Sequence, residues 1–133
     1  MEHSENYGRV FNRVSDLLTN IIENAEVANI MIVGSTKIDE LETIDRVRFG
    51  LLMYDIFAAY EFVFEQTRAK AFPDHVWPHY LQHFEYWSSL PGVKTRWASR
   101  KAIFSAQFMD IASTYIEKPS LSPEEAREMW RTW

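Results

Sequence analysis

Residues 47 to 64, VRFGLLMYDIFAAYEFVF, constrain this chain more than any other stretch. All of them except Arg48, Gly50, Asp55 and Glu61 are apolar or aromatic. A helix that is apolar on most sides is normally surrounded by other helices. The stretch is therefore expected to be the centre of a small helical domain, walled in by its neighbours. Only four Gly and five Pro interrupt 133 residues, so the elements must be long, which favours helices. Nine Phe, six Tyr and five Trp supply a packed interior, and the length suffices for one core without disulfides or metals. The expected fold class is all-α: a compact bundle of four to six helices around a central apolar helix at about 43–71, in a single domain over residues 1–133.

The punctuation of the chain fills in the rest. Tyr7, Phe11, Val14, Leu18, Ile21, Ala25 and Ala28 recur at three- and four-residue intervals, close to a heptad seam. They predict a long first helix over about 4–32, with Gly34 suited to its end. Asp39 with Glu42 fits a capping box for the central helix, although Glu42 or Thr43 also suits its start. Pro73 ends that helix, and Asp74 is a good N-cap for a third, running to about 89. Leu90-Pro91-Gly92 breaks the chain before a short helix at about 93–103. Ser105 can cap a helix from about 106 to 117. Ser122-Pro123-Glu124-Glu125 combines an N-cap, a first-position proline and a capping glutamate, starting a short, peripheral C-terminal helix at about 123–133.

Several function classes are excluded or disfavoured by composition. Cysteine is absent, which removes thiol chemistry and suits a cytoplasmic protein. The net charge of −5 is a poor basis for nucleic-acid binding, which depends on neutralising phosphates. No apolar run approaches the roughly 18–20 residues that span a bilayer, and the start of the chain lacks a signal-peptide pattern. With Gly only at 8, 34, 50 and 92, no phosphate loop or dinucleotide fingerprint can be written. HExxH and GxSxG are missing, and no Glu is followed by His three residues later, which rules out the di-iron bundle pattern.

Three constellations merit weighing. His75, His79 and His83 have the i, i+4, i+8 spacing that can present imidazoles to a metal. On a helical wheel, however, Trp77, Tyr80, Leu81, Phe84 and Trp87 take the core side, so the histidines are expected on a solvent face as weak surface candidates. Glu61 and Glu65 lie one turn apart with Arg68 nearby, and Glu61 is the expected buried acid, with Arg96 or Arg100 as its cationic partner. Glu65 and Arg68 are expected to pair at i, i+3. Between 92 and 109 the charges are Lys94, Arg96, Arg100 and Lys101, with Trp97 among them and no acid until Asp110. That mixture can grip an anion or a strand, but in an acidic chain a solvated face is the expected reading.

Certain residues also resemble a known pattern. Ile22-Glu23-Asn24, Asp45-Arg46-Val47-Arg48-Phe49, Tyr60-Glu61, Asp74 with Trp77, Pro91-Gly92-Val93, Trp97, Arg100 and Phe104-Ser105 through Phe108 are similar to a family of uncharacterised bacterial proteins. The likeness covers roughly residues 20–112. It implies an all-helical domain of unknown function and brings no catalytic residue, ligand or cofactor. Many members look as if a membrane-spanning helix precedes the domain, whereas the first helix expected here is amphipathic. The resemblance marks Arg48, Glu61, Trp97 and Arg100 as candidate ligand- or partner-binding positions in otherwise apolar helices. A buried ion-pair network would also account for them.

Three readings of function follow. The first is a non-enzymatic interaction domain, forming a homodimer or docking a protein partner through its first helix. The second is a small-molecule sensor with an aromatic-lined pocket. The third is an enzyme using Glu61 as acid or base. No cofactor, nucleic acid or membrane partner is expected.

Overall fold

The computed structural model describes residues 19–132 together with positions 12, 15 and 16. Residues 19–23 are helical and stop at Asn24. Then come α1 (Ala25–Thr36), a 3₁₀ turn (Ile38–Glu40), α2 (Thr43–Arg68), α3 (Val76–Ser88), α4 (Pro91–Arg100), a second 3₁₀ turn (Lys101–Ile103), α5 (Ala106–Ile116) and α6 (Pro123–Arg131). Among the described residues there is no strand, and the fold is all-α.

The central helix is α2. Phe49, Met53, Ile56, Phe57, Tyr60, Val63, Phe64 and Thr67 recur every three or four residues and form its buried face. Against it pack α1, α3, α4 and α5. The meeting point is Phe108 of α5, which is fully buried. Its ring lies 6.0 Å from Phe64, 6.1 Å from Phe84, 5.8 Å from Trp97 and 5.9 Å from Phe104, mostly edge-to-face. Such pairs add about 0.5–1.5 kcal/mol each beyond the burial of their area.

Two glycines set how close the helices come. A Cβ on Gly34 would lie 2.3 Å from the Phe49 ring, and one on Gly92 would lie 1.8 Å from the Gly34 carbonyl oxygen. The start of α4 therefore rests on the backbone of α1, which in turn covers Phe49 of α2. This corrects the expectation that Gly34 ends a helix: α1 runs through it to Thr36, and the missing side chain serves packing. Nor is α6 peripheral. Ala126 is fully buried, α6 packs on α1, and the Trp130 indole N–H donates to Ser35 Oγ at 2.9 Å.

Helix ends follow the chemistry of their caps, with three departures. Ser105 accepts from the Phe108 N–H, and Ser122 with Glu125 forms the full capping box. The expected continuous first helix is instead broken at Asn24, whose Oδ1 accepts from the N–H groups of Glu26 and Val27. The members of the expected seam at Tyr7, Phe11, Val14 and Leu18 lie outside the described residues. Asp39 caps nothing, because it belongs to the first 3₁₀ turn, and Glu42 is the N-cap residue of α2 without a side-chain bond. Asp74 does not cap α3, since its carboxylate takes the Lys70 ammonium at 2.7 Å and the cap position falls to His75.

Alanine is the better helix former by about 1 kcal/mol, so Gly34→Ala would stabilise an open helix. Here the clash with fully buried Phe49 should reverse the sign and lower stability by about 1–3 kcal/mol in urea unfolding. A gain in stability would mean that α1 and α2 do not approach this closely.

Candidate functional site

The candidate polar residues do not converge on one place. Trp97 lies in the core at 2 % exposure, stacked on Phe104 with ring centroids 5.6 Å apart, and its indole N–H donates to Ser113 Oγ at 3.2 Å. Its role there is packing. Arg48 is exposed on α2 and donates to Glu26 Oε1 of α1 at 2.6 Å, with Asp45 at 3.4 Å. An exposed pair of this kind orients side chains more than it stabilises. Arg100 is exposed on α4, and its one hydrogen bond among the described residues is a long one, 3.4 Å, to the Ser99 carbonyl.

Glu61 is tied to the main chain. Its Oε2 accepts the Ser105 N–H at 2.7 Å, while Glu65 Oε1 accepts the Ser105 hydroxyl at 2.8 Å. Two carboxylates one turn apart on α2 thus clasp the N-terminus of α5, where the helix dipole favours negative charge. Neither Arg96 nor Arg100 joins Glu61. Arg96 Nη2 donates instead to the Arg46 carbonyl at 3.1 Å. Glu65 does not pair with Arg68, whose guanidinium sits 5.9 Å from the Phe64 ring centroid. The buried ion-pair network expected around the central helix is replaced by bonds from side chains to main chain. Nearby Tyr60 is buried, and burial, with Tyr80 adding, pushes its phenol far above the ordinary value.

The basic run is divided in the same way. Lys94 Nζ donates to the carbonyls of Ile116 and Lys118, closing the C-terminal end of α5. Burial pulls its ammonium below the usual lysine value. His75, His79 and His83 are all exposed, and the His79 and His83 rings are 5.4 Å apart. Among the described residues no group of three or more His, Cys, Asp or Glu is placed to hold a metal.

The central helix departs from the expectation drawn from its sequence. It is not walled in on every side. Ile44, Val47, Leu51 and Tyr54 form an outward strip on the first half of α2, exposed by 68 %, 57 %, 64 % and 45 %. Their spacing of three, four and three residues is a second apolar stripe, legible in the sequence but indistinguishable there from core. Beside the strip, between α2 and the chain around Asn24, runs a solvent-open groove of about 530 Å³, lined by Asn20, Asn24, Val27, Arg48, Leu51 and Tyr54 among others. Tyr54 is the one aromatic among the described lining residues. Ile22, at 81 % exposure, stands just before Asn24. Among the described residues no helix is long and apolar enough to cross a membrane.

Compared with protein-family models, curated proteins and solved structures, the chain has no match. The site must be read from its own geometry. If Glu61 is a clasp, Glu61→Ala should lower stability by about 1–3 kcal/mol by orphaning the Ser105 N–H. It should also raise amide exchange in the first turn of α5. Unchanged stability and exchange would remove the clasp.

Proposed function

We propose that this protein is a non-enzymatic helical interaction domain that pairs with a second copy of itself. The observation that carries the reading is the exposed apolar strip Ile44, Val47, Leu51 and Tyr54 on a helix whose other face is core. A contiguous exposed apolar stripe usually marks an association surface. The same chain carries a matching surface. Tyr7, Phe11, Val14, Leu18 and Ile21 supply a second apolar stripe at helical spacing. Ile22, just after the last member of that stripe, is exposed, and the groove beside Asn24 lies next to the α2 strip. Two complementary stripes on one chain suit a twofold exchange in which the first segment of each copy lies along α2 of the other.

The tying of Glu61 to Ser105 and the core position of Trp97 weigh against an enzyme or a sensor built on those residues. The cysteine-free composition suits a reducing compartment, and the proposal sets the domain in the cytoplasm. The resemblance to an uncharacterised bacterial family is part of the same proposal and supplies no activity.

Light scattering coupled to size exclusion tests the reading. Wild type should move from monomer to dimer as concentration rises. Val47→Glu with Leu51→Glu should stay monomeric, with an unfolding free energy in dilute solution within about 0.5 kcal/mol of wild type, the range of ordinary surface substitutions. A wild type that stays monomeric at every concentration would contradict it. So would a double variant that dimerises as before.

A further inference from the structure

Arg46 near the start of α2 and Arg96 and Arg100 on α4 share one patch of positive charge on the side of α2 away from the Glu26–Arg48 pair. Their positions are fixed by carbonyls, which orient a guanidinium without neutralising it. Arg46 donates from Nε to the Leu41 carbonyl at 2.9 Å and from Nη2 to the Asp39 carbonyl at 3.1 Å. Arg96 donates from Nη2 to the Arg46 carbonyl at 3.1 Å. Its stem crosses Gly50, and its Nε is buried without a hydrogen-bond partner. Burial first, then the charges of Arg100 and Arg46, lowers the Arg96 pKa from its usual value. That repulsion acts at rest, in a chain with five more acidic than basic residues.

Among the described residues no ion pair relieves it: none includes Arg46, Arg96 or Arg100. Of the acids nearest in sequence, Asp45 pairs with Arg48 and Glu40 with Lys37 and Arg127, while Glu42, one turn before Arg46, takes part in no ion pair among the described residues. Three guanidiniums, two of them held in place before any ligand arrives, form the kind of site that takes an oxyanion through several charge-assisted bonds. Preorganisation of this sort lowers the ordering cost of binding.

We propose that Arg46, Arg96 and Arg100 form a binding site for a small, multiply charged oxyanion of the phosphate-ester or polycarboxylate class. Arg100, exposed and the least anchored of the three, closes over the ligand, while Arg46 and Arg96 form the fixed floor. The site is independent of self-association, since it lies on α4 and the α4 side of α2.

Thermal melting at low ionic strength, where exposed charges are least screened, tests the proposal. Inorganic pyrophosphate and citrate are titrated separately against chloride at matched ionic strength. A saturating rise in melting temperature is expected. A response to pyrophosphate alone assigns phosphate esters, and one to citrate alone assigns polycarboxylates. Arg100→Gln should keep the fold and weaken binding at least about tenfold, the loss expected from one charge-assisted bond of about 1.5–3 kcal/mol. Arg131→Gln, on α6, should bind as wild type. No response beyond matched chloride would overturn the proposal. So would equal binding by wild type, Arg100→Gln and Arg46→Gln, which would mean an adventitious ion only.

Discussion

Hydrophobic burial along one face of α2 is the interaction on which the other elements depend. Phe49, Met53, Phe57, Val63 and Phe64 are each nearly or fully removed from water, and each such side chain contributes about 1.5–3 kcal/mol. α1, α3, α4 and α5 are arranged around that face. Gly34 and Gly92 let the α1 and α4 backbones come close enough to seal Phe49, and Phe108 then joins α5 to rings from α2, α3 and α4. The polar bonds act after this. Asn24, Ser105 and Ser122 define where helices begin, while Glu61, Glu65 and Lys94 tie the two ends of α5 to its neighbours.

This division explains what the sequence revealed and what it hid. The inner-face residues of α2, the core side of α3 through Trp77, Leu81 and Phe84, and the caps at Ser105 and Ser122 were legible, because period and cap chemistry are local. The Asn24 break was missed although the residue is a strong N-cap, because apolar spacing on both sides of it suggested continuity. Gly34 was misread because a helix end and a close helix crossing use the same residue. The partner of Glu61 lies 44 residues away. Spacing along one helix gives no access to such a contact, so an arginine was a fair guess and a main-chain N–H the outcome.

The site was hidden for a related reason. Periodicity reports that Ile44, Val47, Leu51 and Tyr54 share a stripe, but it cannot say whether that stripe meets the protein's own core or another surface. The arginines show the converse. Arg96 and Arg100 were visible as part of a basic run, but Arg46 joins them only through folding, which brings α2 beside α4. Both surfaces flank the same helix: apolar on its outer side, cationic toward α4.

The central claim is that α2 has one dry face and one face kept for association. Hydroxyl-radical footprinting at low and high protein concentration measures both faces at once. Met53 and Phe57 should resist oxidation throughout, whereas Leu51 and Tyr54 should oxidise when dilute and become protected when concentrated. Protection of Leu51 and Tyr54 at the lowest concentration, or ready oxidation of Met53 in the folded protein, would contradict the account.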